Sequence, residues 1–507
     1  MRKYLITVLL VLSVLLASCN DTMQMHTQSE STSECDHIDV NDDGKCDSCK
    51  TNVTVTLDVY AINDLHGKID DSASNEGVDE LTTYLKNCRA NDECSIILSS
   101  GDMWQGTSES NLTYGKLVTE WMNEIGISSM TLGNHEFDWG TERIADNAEI
   151  AAFPFLAINI FDRQTNERAE YCAPSVMVKC GELNVGIIGA IGDCYSSISP
   201  DKVENVYFKT GDALTELVKA ESERLRSNGA DIIVYSLHDG HSRTTNEAVS
   251  VTGNEIASYY DIQLSRDGLV DVVFEGHTHR KYILKDTYGV YHLQGGGDND
   301  GISHFELEVN KANGKDRVTC AEFVPVSRYD SLNDDAYIDI LLEKYRDDIS
   351  IGALSIGTNK KFRSGDEMRK LVAEMYYQKG LQVWGSRYDI VLGGGFVSVR
   401  SPGNLPQGEI TYSQIQTLFP FDNPLMLCSI KGSDLKSKFI ETSNSNYFVS
   451  YSDGLLSSLD PNETYYVVVD TYTSTYAPNR LTEIEMYNPN IFARDLVADY
   501  IAAGGLA

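Results

Sequence analysis

After its first twenty residues the chain has no apolar run long enough to cross a bilayer. It is also short of positive charge: among 507 residues, 41 are Lys or Arg against 75 Asp or Glu, a formal net charge of −34. A surface of that sign repels nucleic acid and anionic lipid, which counts against polymer binding as the main role. A phosphate-bearing small molecule fits such a chain only where bound metal or a few placed arginines reverse the sign locally. No internal repeat is visible. Histidine is scarce, at ten residues, so the places where it recurs are informative. Hydrophobic and charged contents of 42% and 23% are those of a globular protein. The length exceeds what one core organises, so two domains plus extras are expected.

What is present begins at the N-terminus. Arg2 and Lys3 precede the apolar stretch YLITVLLVLSVLLA, and the run closes in Leu-Ala-Ser-Cys at Cys19. A charged start, a short apolar centre and small residues before a cleavage point make a secretory signal. The ending resembles the bacterial lipobox, in which the cysteine is lipidated. Residues 1–18 are therefore expected to be a lipoprotein signal peptide and Cys19 the lipid anchor, with the mature chain outside the cytoplasm, anchored to the membrane of the bacterial cell envelope and not spanning it. Residues 19–52 read as a polar tether. Within it, CDHIDVNDDGKCDSCK superposes two patterns. Asp39, Asn41, Asp43 and Gly44 have the spacing that begins a calcium loop, but Lys50 stands where the twelfth-position Glu is needed. Cys35, His37, Cys46 and Cys49 have the pair-plus-pair look of a small zinc knuckle, a candidate accessory metal site. A disulfide-bonded or disordered spacer is the alternative.

From residue 53 apolar runs of strand length (VTLDVYAI, SIILSS, SSMTL, FPFLAINI, NVGIIGAI, DIIVYSL, VDVVFEG) alternate with segments of helical periodicity (ELTTYLKNCR, KLVTEWMNEIG, DALTELVKAESERLRSNG). That alternation predicts an α/β fold over 53–328. Residues 329–352 read as a solvated linking helix. A second domain, 353–507, has its own helix (DEMRKLVAEMYYQKG) and strands (DIVLGGG, YYVVVDTYT).

Five strand ends in the first domain carry metal-ligand residue types. AINDLHG supplies Asp64 and His66, which point the same way if the segment stays extended. LSSGDMW supplies Asp102, LGNHEFD supplies Asn134, His135 and Asp138, YSLHDGH supplies His238 and FEGHTHR supplies His277 and His279. Loops at strand carboxyl ends build the site in α/β proteins. Mixed imidazole and carboxylate ligands suit Zn, Mn, Co or Fe rather than Ca.

This ordered set resembles the calcineurin-like metallophosphoesterases, and more narrowly the secreted 5'-nucleotidase, UDP-sugar hydrolase and 2',3'-cyclic nucleotide phosphodiesterase family. The resemblance implies a two-sheet αββα sandwich followed by a smaller α/β substrate-binding domain. It implies two divalent ions, one held by Asp64, His66, Asp102 and His279, the other by Asp102, Asn134, His238 and His277, with Asp102 bridging. It implies metal-activated hydrolysis of a phosphoester. His135, oriented by Asp138, becomes a catalytic histidine rather than a ligand, stabilising the transition state and protonating the leaving group.

In the second domain GEITYSQIQTLFPFDNPL resembles the family's nucleotide-binding segment, which puts Phe421 and Asn423 on the base; VVVDTYTSTY offers Tyr472 as the second aromatic wall. Here the family pattern frays. LGGGFVSVR stands where Asn-Gly-Gly-Gly-Ile-Arg is usual, so Leu392 replaces the Asn and Val397 the Arg, while Arg400 matches another substrate-binding arginine. TSTYAPNR replaces a Gly-Gly-Asp. The glycines 393–395 suit close approach to an anion or a tight strand-to-helix turn. The expected substrate is a nucleotide; the alternatives are a non-nucleotide phosphoester, or binding without turnover. No protein partner is evident. Among eleven cysteines, Cys88 with Cys94 and Cys172 with Cys180 are close enough in sequence to be read as disulfide pairs, although spacing assigns no connectivity.

Overall fold

The computed structural model describes residues 37–506, apart from 71–76, 93, 246, 253–255, 258, 398, 401–402, 444–446 and 477–479. The signal segment, Cys19 and Cys35 thus lie outside the described residues.

Strand Thr54–Ile62 sets the architecture through its alternation. Leu57, Val59 and Ala61 point to one side, where they meet Ile96, Leu98, Val185, Val234 and Phe274 in a core between two sheets. Tyr60 and Ile62 point to the other, joining Ile97, Trp104, Trp121 and Met122 under the helices. The second sheet has the same two-faced pattern. Its Ile188, Ala190 and Leu237 face away from the first sheet and pack on Leu214, Val218 and Leu225 of helix Asp212–Ser227. The result is helix, sheet, sheet, helix.

The first sheet runs in the order Lys315–Pro325, Gly301–Asn310, Thr54–Ile62, Ser95–Ser99, Ser129–Thr131, Phe155–Leu156. Its last four strands are parallel. The second sheet runs Val249–Ser250, Lys281–Lys285, Tyr291–Gly295, Val272–Glu275, Ile232–His238, Leu183–Ile191, Ser175–Cys180, with a parallel centre formed by Tyr291–Gly295, Val272–Glu275, Ile232–His238 and Leu183–Ile191. The loops that carry the chemistry-bearing residues leave the carboxyl ends of parallel strands in both sheets and meet at one edge of the sandwich.

The segment read as a solvated linking helix is instead docked. It forms helices Ala336–Lys344 and Arg346–Ile349, and Ile338 and Leu341, one helical turn apart, are 1% exposed in the first helix-side core. Tyr345 Oη donates to Glu120 at 2.7 Å. The second domain is a five-stranded sheet in the order Tyr447–Tyr451, Ile390–Phe396, Thr464–Asp470, Leu425–Lys431, Leu481–Met486. It is backed by helix Gly365–Trp384, which starts at a capping box of Ser364 and Glu367. Glycines 393–395 lie within a strand, not in a turn. A Cβ on Gly393 would fall 2.1 Å from the backbone nitrogen of Tyr377, so close strand-to-helix packing accounts for that glycine.

The disulfide joins Cys94 to Cys180, not either cysteine to its sequence neighbour. Cys94 immediately precedes strand Ser95–Ser99 of the first sheet and Cys180 closes the edge strand of the second, so the bond staples the sandwich across its two layers. Cys88 stays with Tyr60 and Tyr84 beneath helix Asp79–Asn91. Among the described residues no helix is long and apolar enough to cross a membrane. Replacing Cys180 with Ser is expected to lower the unfolding free energy by about 2–4 kcal/mol. Denaturant titration without reductant measures this, and an unchanged midpoint would refute it.

Candidate metal centre

Three strand ends of the first domain reach this edge first through their backbones. Asp64, His66, Asp102, His277 and His279 all sit in the left-handed region, with φ of 50°, 52°, 56°, 71° and 52°. That conformation is disfavoured by about 1–2 kcal/mol for each residue with a Cβ. Asp64 and His66 therefore converge through two successive left-handed turns beyond Ile62, not through the period of an extended strand. The loops that hold these conformations are laced together. Asp64 N–H donates to Gly101 O at 2.9 Å and His66 N–H to Asp102 O at 3.1 Å, while His277 N–H meets the Asp64 carboxylate at 2.8 and 3.0 Å.

The side chains then face one another. His66 Nε2 lies 3.0 Å from His279 Nε2, His279 Nε2 lies 3.4 Å from Asp64 Oδ1, and His238 Nε2 lies 3.1 Å from Asp102 Oδ2. Ligand atoms of Asp64, His66 and His279 lie within 4.8 Å of one another, as do those of Asp64, Asp102 and His238. Asp64 is thus common to both triads, whereas the family resemblance implies the bridging role for Asp102. Asp102 divides its oxygens, Oδ1 accepting from His135 N–H at 2.8 Å and Oδ2 facing His238.

The donor set fits divalent cations. His66 Nδ1 donates to Gln105 O at 2.7 Å, which leaves its Nε2 lone pair pointing inward. His238 Nδ1 donates to Ser100 O at 2.5 Å and its Nε2 faces Asp102; burial opposes charge on this ring, but Asp102 outweighs it and raises the pKa to about 10, so His238 gives up a proton to ligate. Asn134 Oδ1 is buried with no hydrogen-bond partner among the described residues. A Cβ on Gly133 would lie 2.3 Å from Asp102 Oδ1 and 2.7 Å from His238 Nε2, so only glycine leaves the space where these donors converge. Burial, reinforced by the positive charge of Arg400, holds the His66 imidazolium pKa well below the usual value. Burial, with His238 beside it, lowers His277 to about 4. Both rings are neutral at pH 7, the form that ligates.

His135 is bound differently. Its Nδ1 lies 2.7 Å from Asp138 Oδ2. Burial opposes charge on the ring, but Asp138 and Asp102 outweigh it and raise its pKa. Its ring faces Phe421 of the second domain, with centroids 6.1 Å apart. A cleft of about 360 Å³ between the domains is lined by Asn134, His135, Asp138 and His277 on one side and Phe421, Asn423 and Tyr472 on the other. The Tyr472 ring packs on Phe396 at 5.2 Å. Arg494 steadies the Phe421 loop, donating to Phe421 O at 3.3 Å and pairing with Asp422. Arg400 reaches across the domains, its Nη1 donating to Gln105 Oε1 at 2.9 Å. His241 serves its own loop, Nδ1 accepting from Arg243 N–H at 3.1 Å.

Sequence reasoning missed several contributors. Glu136, fully buried, accepts N–H groups of Asp102 at 2.9 Å, Met103 at 2.8 Å, Trp104 at 3.4 Å and Gly133 at 2.7 Å. Its only sequence signal is an acid lodged between His135 and Phe137. Arg369 and Lys202 line the cleft from distant segments and had no motif to mark them. Cys194 Sγ donates to His238 O at 3.0 Å; burial pushes its pKa well above the ordinary value, so it stays a thiol, a poor ligand. Glu136→Gln replaces an acceptor with an amide donor facing N–H groups. It is expected to weaken metal affinity about 10–100-fold, seen as a rightward shift when activity is titrated against added metal.

The calcineurin-like phosphoesterase family matches residues 57–281, and the 5'-nucleotidase C-terminal domain family matches residues 359–456. Endonuclease YhcR of Bacillus subtilis is 26% identical over 418 residues, which cover 75% of this chain but only 32% of that protein. A probable 5'-nucleotidase of Treponema pallidum is 25% identical over 420 residues, 71% of this chain and 68% of its own. The crystal structure of a putative 5'-nucleotidase from Staphylococcus aureus shares the fold, with a TM-score of 0.67 at 17% identity over 89% of this chain and 97% of that one.

Proposed function

Because the chain belongs to the calcineurin-like phosphoesterases that carry a 5'-nucleotidase C-terminal domain, we propose that it is a nucleotide phosphohydrolase dependent on two divalent cations, held outside the cytoplasm by a lipid on Cys19. The observation that carries the reading is the cleft in which the His135–Asp138 pair of one domain faces Phe421 of the other. In this reading Asp64, His66, Asp102 and His279 hold one cation, and Asp102, Asn134, His238 and His277 the other. Zn, Mn, Co or Fe suits these donors; bound there, such ions supply Lewis acidity toward a water nucleophile and the phosphoryl oxygens.

The chain's own residues do the rest. His135, kept protonated by Asp138, donates a hydrogen bond to the phosphoryl group and passes its proton to the leaving oxygen. Phe421 stacks on the base, Asn423 hydrogen-bonds its edge, and Tyr472, backed by Phe396, forms the opposite wall. Stacking contributes about 1–3 kcal/mol per base. Arg369 and Lys202, which line the cleft, and Arg400, whose charge acts on His66 and His135, supply the local positive charge that a chain of net charge −34 otherwise lacks. Arg369 lines the same cleft as Val397, which stands where the family has arginine, and its guanidinium takes over the phosphate contact. UDP-sugars and 2',3'-cyclic nucleotides fit the same chemistry. The net charge favours a small nucleotide over a polymer. Val397, 2% exposed, favours a second reading in which the ester is not a nucleotide. The Cys94–Cys180 bond supports an oxidising compartment.

Chelation is expected to abolish phosphate release from nucleoside phosphates, and Mn or Zn to restore it. A folded, metal-loaded protein that releases phosphate from no nucleoside phosphate, UDP-sugar or cyclic nucleotide would sink the proposal. His135→Asn should lower kcat about 100- to 10,000-fold with little change in KM. Phe421→Ala should raise KM for nucleotides about 10-fold or more while leaving a simple aryl phosphate unaffected; equal effects on both substrates favour the non-nucleotide ester.

A further inference from the structure

The segment 37–52 cannot be held by a core of its own. Asp39 and Cys46 are its only buried residues, while Ile38 and Val40 are 52% and 81% exposed. Chains this short and this open need a covalent or metal staple to keep one conformation. Yet the segment is folded against the sandwich. Asp39 accepts from Asn310 Nδ2 at 2.8 Å, Lys315 Nζ pairs with Asp42 at 3.0 Å, and Val53 N–H donates to Gly44 O at 2.9 Å.

Three soft or borderline donors converge within it. Ligand atoms of His37, Cys46 and Cys49 lie within 4.8 Å of one another. Cys49 Sγ is 3.4 Å from His37 Nδ1 and 2.8 Å from Thr51 Oγ1, and Cys49 N–H points at Cys46 Sγ at 3.4 Å. Donors aimed at sulfur stabilise thiolates, the form that binds metal. The competing calcium pattern has spent its oxygens. Asp39 accepts from Gly44 N–H at 2.9 Å and Asp43 N–H at 3.2 Å as well as from Asn310, and Asp43 accepts from Lys45 N–H at 3.0 Å and Asn41 Nδ2 at 3.0 Å.

We propose that His37, Cys46 and Cys49 hold a structural zinc ion, separate from the phosphoesterase metals, that locks the segment onto the sandwich. Imidazole with two thiolates is a zinc donor set. The fourth tetrahedral position is offered in the sequence by Cys35, two residues before His37 and outside the described residues; the proposal rests on the other three. Thr54 pairs with Asn310 at the end of the sheet opposite Ile62. The length of that strand, about 25–30 Å, separates this ion from the catalytic loops.

Cobalt distinguishes the two kinds of site. The full-length chain, stripped by chelator and refilled with Co²⁺, is expected to show thiolate-to-cobalt charge-transfer absorption, which the imidazole and carboxylate donors of the catalytic site do not produce. Cys46→Ser/Cys49→Ser should abolish that absorption and lower zinc content by one ion per chain, with phosphate release unchanged. His66→Ala, which damages only the catalytic site, should retain it. The proposal is overturned if the wild-type chain shows no such absorption. It is also overturned if the band survives Cys46→Ser/Cys49→Ser, which would assign it to Cys194, or if peptide mapping of zinc-replete protein finds Cys46 and Cys49 joined as a disulfide.

Discussion

Glu136 has no solvent and, among the described residues, no lysine or arginine; what it has is four backbone N–H groups from two loops, those of Asp102, Met103, Trp104 and Gly133. Burial, with Asp102 nearby, carries its pKa up to about 7, and His238 with the N–H groups of Gly133 and Asp102 pulls it the other way. The cost of burying a carboxylate is offset only while every donor stays in place. This makes the carboxylate a clamp between neighbouring strand ends. Through Asp102 and Gly133 it fixes where Asn134 and His135 emerge. Through the lacing of Asp102 to His66 it reaches the next strand end as well. Five left-handed residues in one site store strain that such over-determination has to contain.

The second domain relies on a similar economy of charge. Arg494, 8% exposed, ties the carbonyl of Phe421 to the carboxylate of Asp422, so the aromatic that faces His135 sits on a braced loop. Arg400 makes a side-chain hydrogen bond between the cleft's two domains, to Gln105, whose carbonyl also sets the tautomer of His66. A shift of the second domain therefore bears on the electrostatics of His66 as well as on the width of the cleft.

Much of this was legible in the chain. The α/β alternation predicted the layers, and the strand-end residues Asp64, His66, Asp102, Asn134, His135, Asp138, His238, His277 and His279 do meet at one edge. Their proximity in sequence to apolar runs was the signal, because parallel strands deliver their carboxyl ends to one place. Other features were opaque for physical reasons. The hairpin Gly301–Asn310 and Lys315–Pro325 mixes charged and apolar residues at a sheet edge and gave no clean run. The Cys94–Cys180 bond joins strands 86 residues apart, a distance that only the stacking of two sheets removes. Glu136 acts through backbone groups, which no side-chain pattern records, and Arg369 enters the cleft from a helix whose register is set by the second domain's core.

The same strand that carries Asp64 at one end meets the segment 37–52 at the other. That places the entry of the N-terminal tether and the mouth of the cleft at opposite poles of the sandwich. A change confined to the segment 37–52 therefore reaches the catalytic loops only through the length of the sandwich between them.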